Sequence, residues 1–242
     1  MAVVVRKSIF SGIITPNIFI LDSGILMSNS VLRTRIKYCG ITQLSDALEA
    51  VRLGVDALGF VFYPPSPRNI EIDKAAEIMA QLPAFVSCVG LFVNAEEAMI
   101  EQVLQSTSID TLQFHGDETA NECERYGWPY LKAVRMKQDI NLESTAKEYS
   151  SAAALLLDTY SQGVPGGTGE IFDWERIPSS LSKPIILAGG LSVDNVADAI
   201  QKVNPYAVDV SGGIELVKDK VQVKGVKDAA KMAAFIKEVV NA

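Results

Sequence analysis

Eight short apolar runs, each followed by a segment of helical character, constrain the fold of this 242-residue chain more than any other feature. The runs are rich in β-branched and other apolar residues, as buried strands are. They cover residues 35–41, 57–62, 87–93, 111–116, 130–135, 154–159, 184–190 and 207–213. Strands that alternate with helices form either a closed parallel barrel or an open doubly wound sheet, and a count of eight favours the barrel. The sequence therefore predicts an α/β fold, a single (β/α)8 barrel.

The segments between the runs carry helix signals. A helix is predicted over 43–53, where the apolar residues fall on one face. Asn94 followed by Glu97 matches a capping box at a helix start. Ser192 is predicted to cap a further helix, and residues 229–240 to form the last one.

Composition argues against several functional classes. The chain has 22 basic and 29 acidic residues and no block of Lys and Arg, so we expect no nucleic-acid partner. Three widely spaced cysteines form neither a zinc motif nor a secreted disulfide framework, and they predict reduced thiols in the cytoplasm. A single histidine and the lack of an H-E-x-x-H or EF-hand pattern predict no metal site.

Chemically active residues are concentrated at the ends of the predicted strands. In parallel barrels the active site lies at the C-terminal ends of the strands and in the loops that follow them. The residues found there are Cys39, Arg68, His115, Asp158, the glycines of 163–169, Gly189, Gly190 and Ser211 to Gly213. A thiol, a guanidinium, an imidazole, a carboxylate and glycine loops are thus expected on one face.

Cys39 ends the first apolar run. A cysteine is most often a small buried hydrophobe. The side-chain period of two, however, places Cys39 on the strand face of Lys37, and a lysine fits a polar barrel mouth better than the layer beneath the helices. The next helix is expected near Thr42, close enough for its dipole to stabilise a thiolate. The position therefore favours a reactive thiol.

Asp158 and the glycine loops complete the candidate site. Asp158 follows three leucines, where a carboxylate either caps a loop or works in the site. The stretch GVPGGTGE lacks the G-K-S/T of a nucleotide P-loop and alone is only a turn. LAGGLS and SGG, however, follow the seventh and eighth runs, where such barrels bind phosphate through backbone N–H groups. The residues predict a barrel that needs no cofactor, binds a phosphorylated small molecule and carries one acid and one base.

Eight motifs occur in an order typical of one family. They are KYCGIT, DALGFVF followed by SPR, VGLFVN, QFHGDE, LLLDT, PGGTGEIFDW, LAGGL and AVDVSGGIE. Together they resemble the phosphoribosylanthranilate isomerases of tryptophan biosynthesis, from about Arg35 to the C-terminus. The chain departs from that family at Tyr38, Phe114 and Gly212, where Ile or Val, Leu, and Ser are usual. Tyr38 is expected to face the helices, so it bears on packing rather than chemistry.

The resemblance implies a reaction and a set of roles. N-(5-phosphoribosyl)anthranilate would become 1-(2-carboxyphenylamino)-1-deoxyribulose 5-phosphate by an Amadori rearrangement, with Asp158 as general acid and Cys39 as general base. Arg68 would clamp the anthranilate carboxylate. His115 would line the anthranilate pocket and Asp209 would contact the substrate amine, although a structural role stays open for both. The phosphate would lie on Gly166, Gly167, Gly189, Gly190, Ser211 and Gly212.

Two other functions stay open at this point. A related barrel isomerase of histidine biosynthesis would use two carboxylates, one of them at the position of Cys39. A barrel that only senses a phosphorylated ligand would lack the pair formed by Cys39 and Asp158. Both residues are present in the sequence, which argues against either alternative.

Residues 1–34 precede the predicted barrel domain of residues 35–242 and lie outside the resemblance. Arg6 and Lys7 precede an apolar run, as in a signal peptide, but the run is interrupted and is shorter than the ~20 apolar residues of a spanning helix. We expect a short, poorly ordered extension, or an upstream start before Met27. A cytoplasmic enzyme without a membrane partner, either a monomer or a homodimer, is expected.

Overall fold

The computed structural model describes residues 18–20, 26–28, 33–159 and 172–242. The chain divides into two compact units, Met1–Arg33 and Thr34–Ala242. In the first unit, β1 (Ile18–Ile20) and β2 (Leu26–Ser28) pair as an antiparallel ribbon. The second unit contains the barrel.

Eight parallel strands form the barrel, each hydrogen-bonded to the next in the chain, and the last strand pairs with the first. They are β3 (Arg35–Cys39), β4 (Ala57–Val61), β5 (Ser87–Phe92), β6 (Thr111–Phe114), β7 (Tyr130–Arg135), β8 (Ala154–Asp158), β9 (Ile185–Leu187) and β10 (Ala207–Val210). The eight predicted strands and the closed barrel are confirmed, and the doubly wound alternative is wrong. Most strands end before the apolar runs do, because the following residues turn into the loops at the mouth.

Helices follow most of the strands. Those within the described ranges are α1 (Leu44–Leu53), α2 (Ile72–Met79), α3 (Glu97–Ser106), α4 (Ala120–Glu124), α5 (Leu142–Glu148), α6 (Val196–Val203) and α7 (Ala229–Asn241), with a short 3₁₀ helix at Trp174–Arg176. The helices predicted over 43–53 and 229–240 are confirmed by α1 and α7. No helix in these ranges is both long enough and apolar enough to cross a bilayer.

Two predicted helix caps are wrong. Asn94 adopts a left-handed φ of 47°, and its side chain accepts a hydrogen bond from the backbone N–H of Asp117 instead of capping α3. Ser192 lies in the loop before α6, whose N-cap position is Asn195. In both cases the polar side chain stabilises a loop at the end of a strand, so the helix begins later than the sequence pattern indicates.

Side chains alternate between the two faces of the strands. Tyr38 faces the helices as expected, because its hydroxyl donates to the Met232 carbonyl at 2.6 Å and its ring meets Phe235 edge-on. The interior of the barrel is filled by smaller apolar residues, namely Val89, Leu131, Ala133, Ala154, Leu156, Ile186, Ala188 and Ala207. The interior below the mouth is therefore apolar, and the polar side chains of the candidate site lie at the C-terminal ends of the strands.

A hairpin that the sequence did not predict follows the last barrel strand. Strands β11 (Glu215–Lys218) and β12 (Val221–Lys227) pair antiparallel, and Asp219 and Lys220 join them with φ values of 51° and 66°. Positive φ at both loop residues is typical of the type I′ turn that matches strand twist. The hairpin contributes Glu215 and Lys227 to the site described next.

Candidate active site

Cys39 ends β3 and shares a small space with Lys37. The Lys37 ammonium lies 2.9 Å from the Asp209 carboxylate of β10, and both side chains are buried. On the other neighbouring strand, a Cβ added at Gly59 would lie 2.8 Å from the Cys39 Sγ and 3.1 Å from the Lys37 Cε. The missing side chain of Gly59 therefore leaves the room in which the thiol and the lysine meet.

The charges around Cys39 act on its pKa in opposite directions. Burial raises the pKa of the thiol and the Asp209 carboxylate raises it further, while the ammonium groups of Lys37 and Lys227 lower it. The net direction is upward, because burial outweighs the two ammonium groups. Burial alone would lower the pKa of Lys37, but Asp209 and Cys39 raise it above its ordinary value. A charged ammonium therefore stands beside the thiol.

Arg68 follows β4 and is held by the hairpin. Its Nε and Nη2 donate to the two oxygens of Glu215 at 2.6 and 2.9 Å. Lys227 lies 3.5 Å from the same carboxylate and donates to the Ser211 carbonyl at 3.1 Å. Burial acts to raise the pKa of Glu215, but the bonds from Arg68 and Gly225 and the charge of Lys227 hold it below its ordinary value. One edge of the guanidinium is thus occupied, and within the described ranges its Nη1 has no acceptor.

Asp158 ends β8, three places from β3 around the ring through β9 and β10. Its Oδ1 accepts the backbone N–H of Thr159 at 2.8 Å, and its Oδ2 lies 3.0 Å from Nε2 of His115. The other ring nitrogen of His115, Nδ1, lies 3.0 Å from Nε2 of Gln113. The side chains of Gln113, His115 and Asp158 therefore form a continuous buried line.

Glycine loops lie beside both reactive groups. Gly189 has a φ of 80°, and a Cβ there would lie 2.9 Å from Oδ1 of Asp158. Gly190 and Gly212 follow strands β9 and β10, and among the described residues nothing accepts a hydrogen bond from their backbone N–H groups. Ser211 donates its hydroxyl to the Cys39 carbonyl at 2.9 Å.

The loops after β9 and β10 are joined through a parallel bridge between Ser192 and Gly213. Gly166 and Gly167, the other predicted phosphate ligands, lie outside the described residues. N–H groups on adjoining loops that have no acceptor among the described residues are suited to an anion.

The predicted residues that the structure describes are arranged in two groups at the barrel mouth. Sequence reasoning missed four partners of these residues. They are Lys37 as the partner of Asp209, Glu215 and Lys227 around Arg68, and Gln113 behind His115. For Gln113 a signal existed, because it lies two residues before His115 and shares its strand face. In the described ranges there is no cluster of His, Cys, Asp and Glu able to hold a metal.

A protein-family model, described as N-(5'-phosphoribosyl)anthranilate (PRA) isomerase, matches residues 36–238. The curated N-(5'-phosphoribosyl)anthranilate isomerase of Nitrosococcus oceani is 56% identical over 208 residues, which are 86% of this chain and 98% of that protein. The enzyme of the same name from Pseudomonas putida is 54% identical with the same coverage.

Solved structures give the same result. The phosphoribosyl anthranilate isomerase of Thermus thermophilus matches with a TM-score of 0.75 and 32% identity, over 86% of this chain and 99% of that one. The isomerase of Thermotoga maritima matches with a TM-score of 0.73 and 36% identity, over 86% and 100%. These matches span the barrel and its mouth, and the chain belongs to the phosphoribosylanthranilate isomerase family.

Proposed function

We propose that Cys39 and Asp158 are the base and the acid of the isomerisation that this family catalyses. The chain is an isomerase of tryptophan biosynthesis, and it converts N-(5'-phosphoribosyl)anthranilate by an Amadori rearrangement. One observation carries the assignment of the two roles: β3 and β8 end three places apart around one mouth, each with a buried proton-transfer group. A sugar between them can exchange protons with both groups.

In the proposed mechanism Asp158 gives a proton to the furanose ring oxygen as the bond between this oxygen and C1 breaks. The anthranilate nitrogen supplies its lone pair to C1, which gives the protonated Schiff base. Cys39, as the thiolate, then removes the proton from C2, and this electron pair forms the C1–C2 double bond of an enol amine while the nitrogen becomes neutral. The enol amine tautomerises to the 2-ketose product. Acid and base steps of this kind each accelerate a reaction roughly a hundred- to ten-thousand-fold.

Other side chains would bind the two ends of the substrate. Arg68 keeps its Nη1 for the anthranilate carboxylate while Glu215 fixes the opposite edge of the guanidinium. His115 would line the anthranilate pocket beside Asp158. Asp209 accepts from Lys37 through Oδ1 and would offer Oδ2 to the substrate amine.

The phosphate would lie on the loops after β9 and β10. Its proposed ligands are Gly189, Gly190, Ser211 and Gly212, together with Gly166 and Gly167. The N–H groups of Gly190 and Gly212, which have no acceptor among the described residues, support this site. A related isomerase was solved in complex with reduced 1-(o-carboxyphenylamino)-1-deoxyribulose 5-phosphate, at a TM-score of 0.70 and 35% identity, and we assign a phosphorylated substrate of this kind to the present mouth.

We further propose a cytoplasmic enzyme in which residues 35–242 are the catalytic domain and residues 1–34 an extension. The family match begins at residue 36, which supports this division. A monomer and a homodimer are both expected states, and the isomerase of Thermotoga maritima is described as dimeric. Sedimentation equilibrium of the full chain distinguishes them.

The test of the proposed roles is conversion of freshly generated phosphoribosylanthranilate, followed by the fall in anthranilate fluorescence. The full chain should convert this substrate and should leave the aminoaldose of the histidine pathway unchanged. The double variant Cys39→Ala, Asp158→Asn should show no conversion. Conversion by that variant at the normal rate would contradict the assignment of both roles.

A further inference from the structure

Gln113 is a fully buried polar side chain that the proposed mechanism leaves unused. It lies on β6 and is 0% exposed, so none of its surface is open to the barrel mouth in this structure. Its Nε2 is bonded to Nδ1 of His115, whereas no described residue supplies a donor to its Oε1. A buried acceptor without a donor is destabilising, and in native proteins such an atom needs a physical explanation.

Hydrogen-bond chemistry determines where the protons lie in this arrangement. Because the Gln113 amide nitrogen can only donate, Nδ1 of His115 must be unprotonated and Nε2 must carry the ring proton. That N–H donates to Oδ2 of Asp158, and the Thr159 N–H donates to Oδ1. Asp158 therefore accepts at both oxygens, as an ionised carboxylate does. The observed orientation fits a pair that holds no extra proton.

When the pair of His115 and Asp158 takes up one further proton, Nδ1 of His115 becomes a hydrogen-bond donor, whichever of the two residues binds that proton. If it binds His115, both ring nitrogens become donors. If it binds Oδ2 of Asp158, that hydroxyl donates to Nε2 and the ring proton must lie on Nδ1. In either state Nδ1 needs an acceptor, which the Gln113 amide supplies when it turns Oε1 toward the ring. After the turn Nε2 of Gln113, instead of Oε1, is left without a partner, so each orientation leaves one amide atom unpaired among the described residues. The position of the ring proton therefore determines the orientation of the amide.

We propose that Gln113 is a positioning residue whose amide turns from donor to acceptor, so that the pair of His115 and Asp158 can hold the proton that Asp158 delivers to the substrate. This inference rests on the proposed role of Asp158 as general acid. It also accounts for the Oε1 that has no donor among the described residues, because that oxygen is the acceptor of the proton-loaded state.

The chain contains one histidine, so ¹⁵N labelling of histidine reports on a single ring. Long-range ¹H–¹⁵N spectra distinguish the protonated ring nitrogen from the unprotonated one. In the full chain the neutral ring should carry its proton on Nε2. A ring proton on Nδ1 in the unaltered chain would overturn the proposal.

Asp158→Asn imitates the protonated acid without a change of pH. The backbone N–H of Thr159 requires the amide oxygen at the Oδ1 position, so the NH₂ group faces Nε2 of His115. The ring proton should therefore move from Nε2 to Nδ1 in this variant. If it stays on Nε2, the coupling between Asp158 and the amide of Gln113 does not exist.

Gln113→Met keeps the length of the side chain and removes both the amide oxygen and the amide nitrogen. With Asp158 intact, Nε2 should stay protonated, which shows that the ring is still in place. Combined with Asp158→Asn, the variant should show both tautomers, because Nδ1–H has lost its acceptor. If the ring of the combined variant carries its proton on Nδ1 as completely as the ring of Asp158→Asn alone does, the role of Gln113 is overturned. Gln105→Met, on the exposed face of α3, is the matched control and should leave every spectrum unchanged.

Kinetics separate this inference from the proposed roles. Gln113→Met should lower kcat about three- to tenfold, the effect of one neutral hydrogen bond, and leave KM unchanged. An unchanged kcat would overturn the positioning role. If instead Asp158→Asn moves the ring proton as expected but turns over normally, the acid assignment fails while the coupling of amide and ring proton stands.

Discussion

The two sides of the barrel mouth hold their reactive groups by different forces. On the β3 side, Cys39 lies among the charges of Lys37, Asp209 and Lys227, which shift its pKa in both directions. On the β8 side, the described partners of Asp158 are an imidazole and a backbone N–H, with a neutral amide behind the imidazole. The thiol is thus controlled by charge at short range, and the carboxyl by the direction of hydrogen bonds.

The difference follows from the charge change that each group undergoes. The base must exist as an anion in a buried position, and nearby ammonium groups stabilise that anion with little demand on geometry. The acid must hold a proton and then release it, which requires hydrogen-bond partners that can change between donor and acceptor. Substitutions of the charged groups around the thiol should therefore change its pKa and the stability of the fold, whereas substitutions of the hydrogen-bond partners of the carboxyl should change turnover with the fold intact.

The largest effect is expected at Cys39 itself. Cys39→Ala should lower kcat by roughly a hundred- to ten-thousand-fold because the general base is lost. Cys39→Ser should not restore turnover, since a hydroxyl is a far weaker base at neutral pH than a thiolate, whose thiol has an ordinary pKa of about 8.5. The fluorescence assay gives kcat, and the melting temperature confirms the fold. Turnover close to normal in Cys39→Ala would exclude the thiol as the base.

Asp158→Asn tests the hydrogen-bonded side. The substitution preserves the shape of the side chain and removes the proton, so kcat should fall by about a hundredfold or more while the reduced product analogue binds normally. Calorimetric titration with that analogue measures binding. Weakened binding with normal turnover would indicate that Asp158 only braces its loop through Thr159.

Lys37→Met tests the charged side. Removal of the ammonium leaves Asp209 buried without its partner, and the free energy of unfolding should fall by about 3–5 kcal/mol. The control is Arg52→Met, which breaks the exposed pair with Glu49 and should leave stability unchanged. Urea unfolding measures both. The double variant Lys37→Met, Asp209→Leu should recover most of the loss, and a double variant as unstable as the single would show that the ion pair is not the cause.

Lys37→Met should also change the pH dependence of the reaction. Burial already places the Cys39 pKa above its ordinary value, and Lys37 lowers it, so loss of Lys37 raises it further. Because the reaction needs the thiolate, kcat/KM should rise with pH beyond the ordinary thiol range of about 8.5 and should rise later still in Lys37→Met. A profile that moves to lower pH would contradict the control of the thiol by charge.

A smaller effect is expected at Arg68, which lies at the edge of the charged side. Arg68→Lys keeps the charge but loses the planar fork that contacts Glu215 and the substrate carboxylate. KM should rise about tenfold, the value of one hydrogen bond to a charged group, with kcat nearly unchanged. An unchanged KM would show that the guanidinium serves only to hold the hairpin.

The smallest effect is expected outside the mouth altogether. Deletion of residues 1–26 should leave kcat, KM and the melting temperature unchanged, because the family match begins at residue 36. Solubility should be unchanged or improved, since an apolar segment is removed. A truncated chain that loses activity while it stays folded would show that the extension contributes to the site.

The barrel could be predicted from the sequence because its determinants are local. Buried parallel strands appear as apolar runs, and the helix over 43–53 repeats its apolar residues every three or four positions. The hairpin was missed because most of VQVKGVK is not buried and Gly225 interrupts it, so it lacks the continuous apolar run of a buried strand. The cap predicted at Asn94 is wrong because the Asn94 side chain accepts a hydrogen bond from the backbone N–H of Asp117, which is distant in the sequence.

The candidate site could be predicted in part for a similar reason. Strand ends place Cys39 and Asp158 at one mouth without any knowledge of their contacts. Their partners depend on closure of the barrel, since Asp209 meets Lys37 only where β10 pairs with β3. Glu215 reaches Arg68 only through the hairpin. Such contacts join residues far apart in the chain, and no local pattern predicts them.

Two positions at this mouth, both occupied by glycine, have no room for a side chain. Gly59 leaves the space that Cys39 occupies, whereas at Gly189, whose φ is 80°, an added Cβ would collide first with Thr159 and would then lie 2.9 Å from Oδ1 of Asp158. A methyl group at either position would remove no reactive atom, yet it would collide with Cys39 at the first position and with Thr159 and Asp158 at the second. In a genetic screen for cells that require tryptophan, Gly59→Ala and Gly189→Ala should therefore appear beside replacements of Cys39 and Asp158, because the two glycines leave the room in which the two reacting side chains are held.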